Sequence, residues 1–317
     1  MKFELDEQQR DFAASIDAAL GAADLPVAVR AWAAGDFAPG RKVWAQLAEL
    51  GVTALAVSER FDGLEAHLVD LVVALERLGR WCVPGPVAES IAVAPVLLAD
   101  DERCATLASG ELIATVASPP VMPRAVDAEA AGLVLLGRDG RVADASAGGA
   151  HKSVDPSRRL YDVAAVGDGQ PADVQRASDV GALATAAQLI GTAEALLAAT
   201  VDYAKQRTQF SRVIGSYQAI KHKLADVHIA VELSRPLVYG AALSLADNSA
   251  DIARDVSAAK VAAAEAALLA ARSALQTHGA IGFTAEHDLS LWLLRVQALR
   301  SAWGDPAAHR RRVLEAL

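Results

Sequence analysis

Only 2 cysteines occur among the 317 residues. That is too few for a disulfide framework, and neither has a second cysteine or a histidine beside it at metal-ligand spacing. Cys82 and Cys104 therefore read as reduced packing thiols. Aromatic residues amount to 5% although hydrophobic residues reach 53%, so the apolar content is aliphatic and alanine, a composition suited to closely packed helices. Basic residues are in deficit: 30 Lys and Arg against 39 Asp and Glu leave a formal charge of -9. With a sequence pI near 5.3, this balance argues against a binder of phosphate backbones, and nucleic acid is not an expected partner. No uninterrupted apolar run of about 18 residues is present to span a bilayer, and the segment MKFELDEQQRDF is acidic where a signal peptide would be basic and then apolar. The expected location is the cytoplasm, with no membrane association.

The catalogue of catalytic motifs is also empty. There is no Gly-x-Gly-x-x-Gly, no phosphate loop ending in Gly-Lys-Ser/Thr, no His-Glu-x-x-His and no Gly-x-Ser-x-Gly. His222 and His228 share a helical segment, but their spacing puts them on different faces, so no metal site is expected. The basic run His309-Arg310-Arg311-Arg312 could attract a phosphate; at a C-terminal helix end it more simply complements the helix dipole.

What is present reads as helices, a short strand-rich insert, and helices again. The length suits roughly two domains, or one elongated helical domain carrying an inserted module. A first helix is expected over 3–20, with Glu4, Asp6 and Glu7 near its positive end, before Pro26 interrupts. A second covers 41–50 and stops at Gly51. A third covers 64–78, where Leu64, Leu68, Leu71, Leu75 and Leu78 share a face and Gly79 supplies the stop. Pro84, Gly85 and Pro86 mark a turn before the apolar stretch 91–98. From about 101 to 171 the helical period fades and strand-like runs appear at 111–117, 132–136 and 161–166. Asp139-Gly140 signals a hairpin, and Pro119, Pro120 and Pro123 restrict the sheet. The helical period then returns through Leu189, Ala193, Leu196 and Thr200, and through Ile220, Leu224, Val227, Val231 and Val238. An alanine-rich segment at 252–275 closes at Thr277-His278-Gly279, and a fourth helix covers 285–302, so the C-terminal part is expected to be a bundle.

Two polar segments between long helices carry the chemistry. Residues 207–218 gather a guanidinium, two carboxamides and two aromatic rings, which together can hold a pyrophosphate and stack on a heterocycle. Residues 276–286 present backbone amides at a glycine turn, another arrangement that suits anions. On the residues alone, both also read as ordinary helix connections.

Arg207-x-Gln209-Phe210 through Gln218-Ala219-Ile220 and Leu224-Ala225-Asp226 closely resembles the Arg-x-Gln-Phe-Gly…Phe-Gln…Leu-Ala-Asp signature of acyl-CoA dehydrogenases. Gln276 to Glu286 resembles their Gln-x-x-Gly-Gly-x-Gly-Phe-Thr-x-Glu loop. Trp44 to Gly51 and Leu75 to Gly79 fall where that family places its helical entry domain. The resemblance implies a mainly α fold with a small β insert: an N-terminal helical domain at 1–102, a reduced middle β-domain at 103–175 and a C-terminal four-helix bundle at 176–317. It also implies FAD, an acyl-CoA thioester desaturated between its α and β carbons, and an electron-transferring flavoprotein or other acceptor. In the family these loops reach across a subunit interface to the ADP half of a neighbour's FAD, so the resemblance makes Arg207, Gln209, Phe210, Tyr217, Gln218, Gln276, Thr277 and Gly279 the cofactor-contact candidates.

The departures are equally specific. The middle segment is short and lacks the Thr-Glu-Pro-like strand and the Gly-x-Lys hairpin that wall the flavin ring in the family. At the two places where the family carries its catalytic base, counting reaches Gly181 and Gly304, neither of which can accept a proton. Asp305 is a displaced candidate, with an ordinary turn as the simpler reading. This pattern resembles the non-catalytic partner in the α2β2 acyl-CoA dehydrogenases of bacterial steroid degradation. A catalytic subunit in a heterotetramer is the expected partner. An independently active homotetramer with an unconventional base, and a flavin-free scaffold, are the competing readings; Ser211 and Ala280 at family glycine positions lend the scaffold mild support.

Overall fold

The computed structural model describes residues 4–317. The chain opens with α1 (Glu7–Gly21), α2 (Leu25–Ala34), α3 (Ala38–Glu49) and α4 (Leu68–Arg80). Phe3, placed in the first helix by its sequence, lies outside the described residues. Asp6 and Gln9 form a capping box that fixes the start of α1. Pro26 does not merely interrupt. It occupies the first turn of α2, where a missing N–H is tolerated, and Asp24 caps the helix by accepting from Val27.

The leucine stripe of α4 holds from Leu68 onward, but Leu64 precedes the helix and is exposed. Gly79 is inside α4 instead of ending it. A Cβ there would stand 2.2 Å from the Gln188 carbonyl oxygen, and one on Gly191 would stand 1.8 Å from the Glu76 carbonyl oxygen. The two glycines thus let α4 cross the later helix α7 (Val174–Gln206) at backbone contact. The turn at Pro84 to Pro86 leads into a π-helical turn, Ala88–Val93, that continues as α5 (Ala94–Leu97) and then α6 (Arg103–Ala108), with Ile91, Leu97, Cys104 and Leu107 packed into the core.

A five-stranded sheet follows: β1 (Ala114–Ala117), β2 (Ala125–Val126), β3 (Leu133–Arg138), β4 (Arg141–His151) and β5 (Leu160–Pro171), in the order β1-β3-β4-β5-β2. The prolines act as expected: β1 and β2 are short and flank the proline segment. Asp139 and Gly140, both at positive φ, close the β3–β4 hairpin. The hairpin signal marks only the start of β4, at Arg141 and Val142; its extent to His151 is not legible, because its Ala/Gly-rich, largely exposed residues carry no alternating pattern.

The C-terminal bundle consists of α7, α8 (Gln218–Ala246), α9 (Ile252–His278) and α10 (Leu289–Ser301), with α11 (Pro306–Glu315) laid on α9. From Ala177 to Ala193 nearly every residue of α7 is buried, so it is the central helix of the fold. Two helices, Val174–Gln206 and Gln218–Ala246, are long and apolar enough to cross a membrane by length and composition; the apolar window of the first is 83% buried within the protein. Arg295 of α10 joins the layers. It is buried, and its guanidinium donates to Asp155 at 2.6 Å, to Ser157 at 3.0 Å and to the Val83 carbonyl at 2.9 Å. These bonds clamp the β4–β5 connection and the turn after α4 onto the bundle. Burial alone would destabilise the charged form, but the adjacent Asp155 carboxylate keeps the guanidinium ionised and is itself held below the usual carboxylate range.

Candidate functional site

The first loop is a built hairpin. Arg207 ends α7, and β6 (Thr208–Gln209) pairs with β7 (Arg212–Val213). A 3-10 turn, Ile214–Ser216, then delivers the chain to α8. The two tip residues, Phe210 and Ser211, both have positive φ, 52° and 66°. Neither is glycine, and the left-handed conformation costs such residues roughly 1–2 kcal/mol each. The turn therefore keeps its shape although Ser211 stands at a family glycine position. Phe210 is 89% exposed at the tip. The Arg212 guanidinium lies 3.8 Å above the Tyr217 ring, and the Tyr217 hydroxyl donates to the Gln209 carbonyl at 3.3 Å. Arg207, Gln209 and Gln218 are exposed, and Arg207 has no acidic side chain within ion-pair distance among the described residues.

The second loop stands beside the first. His278, the last residue of α9, stacks on Tyr203 of α7 with ring centroids 4.2 Å apart, and His287 meets it edge-on at 5.4 Å. Burial pulls the His278 pKa down, which favours the neutral ring in this stack. Lys223 of α8 donates to the Gln276 side chain. The two segments are thereby brought to one end of the bundle. Gly279 has φ 68° and ψ -144°, a conformation in which a side chain is strained although nothing would crowd a Cβ. Ala280 lies in a 3-10 turn, Gly279–Phe283, and is not at positive φ, so its position needs no glycine. Phe283 is 79% exposed. Thr277 is placed differently from its companions. It is buried, and its hydroxyl donates to the Ser273 carbonyl at 2.7 Å, so it braces the end of α9 instead of facing solvent. Sequence reasoning missed Arg212, Lys223 and His278; only the adjacency of Arg212 and His278 to the motif residues could have drawn attention to them.

Gly181 and Gly304, the glycines that counting along the sequence reaches, are both overlaid by neighbours. A Cβ on Gly181 would stand 2.3 Å from the Trp303 ring, and one on Gly304, itself at φ 97°, would stand 2.6 Å from Nε2 of His309. The Trp303 indole donates at 3.0 Å to Glu89, a carboxylate with 0% exposure. Behind it, Lys260 is fully buried and donates to Thr185, Leu299 and Ala302, and burial drives its pKa well down. Asp305 is the N-cap of α11, its carboxylate accepting from the Ala308 amide at 2.7 Å. A cap of this kind explains the residue without a catalytic role.

Comparison with known proteins agrees with this architecture. The model of the acyl-CoA dehydrogenase C-terminal domain matches residues 168–317, and that of the acyl-CoA dehydrogenase N-terminal domain matches residues 6–100. The acyl-CoA dehydrogenase IpdE2 of Mycobacterium tuberculosis is 32% identical over 295 residues, covering 91% of this chain and 90% of the relative. The ChsE4-ChsE5 complex from Mycobacterium tuberculosis contains a chain of similar fold, with TM-score 0.85 and 23% identity over 99% of this chain and 98% of that one. A steroid ACAD, Tcur3481-Tcur3483 in its G363A variant, gives TM-score 0.84 and 21% identity over 98% and 97%.

Proposed function

This chain belongs to the acyl-CoA dehydrogenase family of flavin oxidoreductases, and from that premise we propose that it is the subunit of a heteromeric enzyme that lends FAD contacts to a partner and has no base of its own. The observation that carries this reading is the contrast between its two ends. The loops at one end of α7 are built and exposed, whereas Gly181 and Gly304 are overlaid by Trp303 and His309.

When bound, FAD would supply the hydride acceptor for the family's α,β-desaturation. The residues of this chain suit the ADP half of such a cofactor. Arg207 offers a guanidinium with no acidic partner among the described residues for bidentate phosphate oxygens. Phe210 and Tyr217 offer ring faces for stacking, and Gln209, Gln218 and Gln276 offer carboxamides around them. The Gly279 turn adds backbone donors. Strain kept at the Phe210-Ser211 tip supports a functional hairpin over a bare connection, and the same feature weighs against a scaffold that has abandoned flavin. Glu89, sealed beneath Trp303, has no route to a substrate, which weighs against an unconventional base there.

The partner in this reading is a catalytic acyl-CoA dehydrogenase subunit, the substrate an acyl-CoA, and the acceptor an electron-transferring flavoprotein or an equivalent. The likeness in fold to a steroid ACAD supports a steroid-derived acyl group. The test is purification of the chain alone and together with the product of its genomic neighbour, followed by absorbance near the flavin band and a turnover assay. Negligible turnover alone with flavin-dependent turnover in the complex is expected, because the missing base is worth roughly a hundredfold or more in rate. Vigorous dehydrogenation by the isolated chain would refute the proposal.

A further inference from the structure

The strap from Gly279 to Glu286, between α9 and α10, is hinged at one end and tethered at the other. Its hinge is Gly279, at φ 68° and ψ -144°, and its tip carries Ile281 and Phe283, 48% and 79% exposed. Gly282 is pressed between neighbours: a Cβ there would stand 2.9 Å from Cβ of His278 and 3.2 Å from Cδ2 of Leu289. Two side chains hold the far end. Arg30 of α2 donates to the Asp288 carboxylate at 2.7 Å and to the carbonyls of Ala285 and Glu286 at 3.3 and 3.4 Å. His287 makes the other tether.

Asp288, in the N-cap position of α10, makes no side-chain capping bond. The amide of Leu289, the first residue of the helix, donates instead to Nδ1 of His287 at 3.2 Å. A ring nitrogen that accepts carries no proton, so the neutral ring has its hydrogen on Nε2. The same ring meets His278 edge-on, and Nδ1 of His278 donates to the Ala274 carbonyl at 2.9 Å. Protonation of His287 therefore adds a hydrogen at the one atom that has to accept. It also puts a cation at the positive end of the α10 dipole and beside a second imidazole. The titratable and charged groups around this pair are Tyr203 of α7, stacked on His278, Lys223 of α8, engaged with Gln276, Arg30 of α2, and the adjacent acids Glu286 and Asp288. Among the described residues neither acid lies within ion-pair distance of either ring, and Asp288 is taken by Arg30.

We propose that His287 is a proton-operated positioning residue for the strap: neutral, it caps α10 and holds residues 279–286 against His278, and protonated at Nδ1, it releases them. The closed strap is then fully stable above the ordinary histidine value, about pH 6.5, and loses stability as the pH falls below it, because the open strap binds the extra proton. The consequence for flavin rests on the proposed FAD contacts of Gln276 and Gly279, whose hold on the cofactor acid would loosen.

Hydrogen exchange of the full chain at pH 7.5 and 5.5, corrected for the intrinsic rate at each pH, reads the strap directly. In the parent, peptides covering residues 279–290 should lose roughly fivefold in protection at pH 5.5, the equilibrium value of a lost helix cap, while the buried centre of α7 stays protected. His287→Asn keeps an accepting oxygen and takes up no proton, so its strap should stay protected at both pH values. His287→Ala should be open at both. A parent without pH dependence, a response that persists in His287→Asn, or a closed strap in His287→Ala overturns the proposal. Flavin retained by the assembled complex is read at the same two pH values. Retention that falls at pH 5.5 in the parent but not in His287→Asn supports the latch and the flavin contacts together. A strap that opens without loss of flavin leaves the latch standing and removes Gln276 and Gly279 from the cofactor site.

Discussion

The indole of Trp303 lies so close to Gly181 that a single added carbon on the glycine would stand 2.3 Å from its ring, and the same indole donates to the buried carboxylate of Glu89 at 3.0 Å. Two residues 122 positions apart in the chain thus occupy the space that a side chain at Gly181 would need. An acidic residue cannot be restored there without displacing a tryptophan anchored at both its face and its edge.

Gly181→Glu should therefore weaken the fold instead of creating a catalyst. Overpacking of a buried site costs about 1–3 kcal/mol, read as a lower midpoint in chemical denaturation. Turnover by the isolated variant should stay at background. A folded Gly181→Glu chain that dehydrogenates acyl-CoA by itself would show that Trp303 yields easily.

Arg207→Ala is expected to reduce the FAD retained by the assembled complex while leaving the isolated chain's melting temperature within about a degree. The guanidinium is exposed and lacks an acidic neighbour among the described residues, so the fold does not depend on it. Flavin content measured after gel filtration decides the matter. Unchanged flavin in the complex would remove Arg207 from the cofactor site.

Asp305 should respond as a helix cap. Asp305→Ala ought to cost about 1 kcal/mol of stability, while Asp305→Asn, which keeps an accepting oxygen for the Ala308 amide, should be nearly neutral. Neither change should alter kcat of the reconstituted complex by more than the loss of folded protein explains. A loss of several orders of magnitude in Asp305→Asn would make Asp305 the base.

Acid stability should depend on two buried groups acting in opposite directions. His309 accepts or donates between Ser257 and the Trp303 carbonyl, and burial lowers its pKa to about 4 from the ordinary 6.5. The unfolded chain binds the extra proton between those values, so this contribution is complete above pH 6.5 and is lost as pH falls toward 4, on the order of 2–3 kcal/mol. Asp127 has the reverse sign. Burial raises its carboxyl to about 7, so the folded chain holds a proton that the unfolded chain releases, and stability falls as pH rises from about 4 to 7. Melting temperatures from pH 4.5 to 7.5 should show His309→Gln relatively more stable at the acid end than the parent, and Asp127→Asn relatively more stable at the neutral end. Parallel curves for parent and variants would contradict both assignments.

The helical periodicity of α7, α8 and α9, the Asp139-Gly140 hairpin and the two polar loops were legible because each is set by residues close in sequence: apolar spacing, turn chemistry and a short motif. Pro26 and Gly79 were misread for a shared reason. Each breaks a helix by local propensity, yet Pro26 sits where a helix begins, and Gly79 is kept inside α4 because α7 passes it at backbone contact. Tertiary contact outweighs a propensity of about 1 kcal/mol. The length of strand β4 beyond Val142 was not legible, because a strand with most of its residues exposed has no alternation to display.

By itself the sequence determined the helix-sheet-bundle order, the identity of the loop residues and the absence of an acidic side chain at 181 and 304. Only the tertiary structure decided that Phe210 is presented and Thr277 withdrawn, that the two loops meet through Tyr203 and His278, and that Trp303 and His309 close over the two glycines. A motif specifies which groups are available, but exposure, partner and free volume are properties of side chains brought together from distant positions. Arg158 is the clearest case: one arginine among the chain's basic residues in the sequence, it becomes a buried guanidinium with an unused donor only when the β4–β5 connection folds against α10.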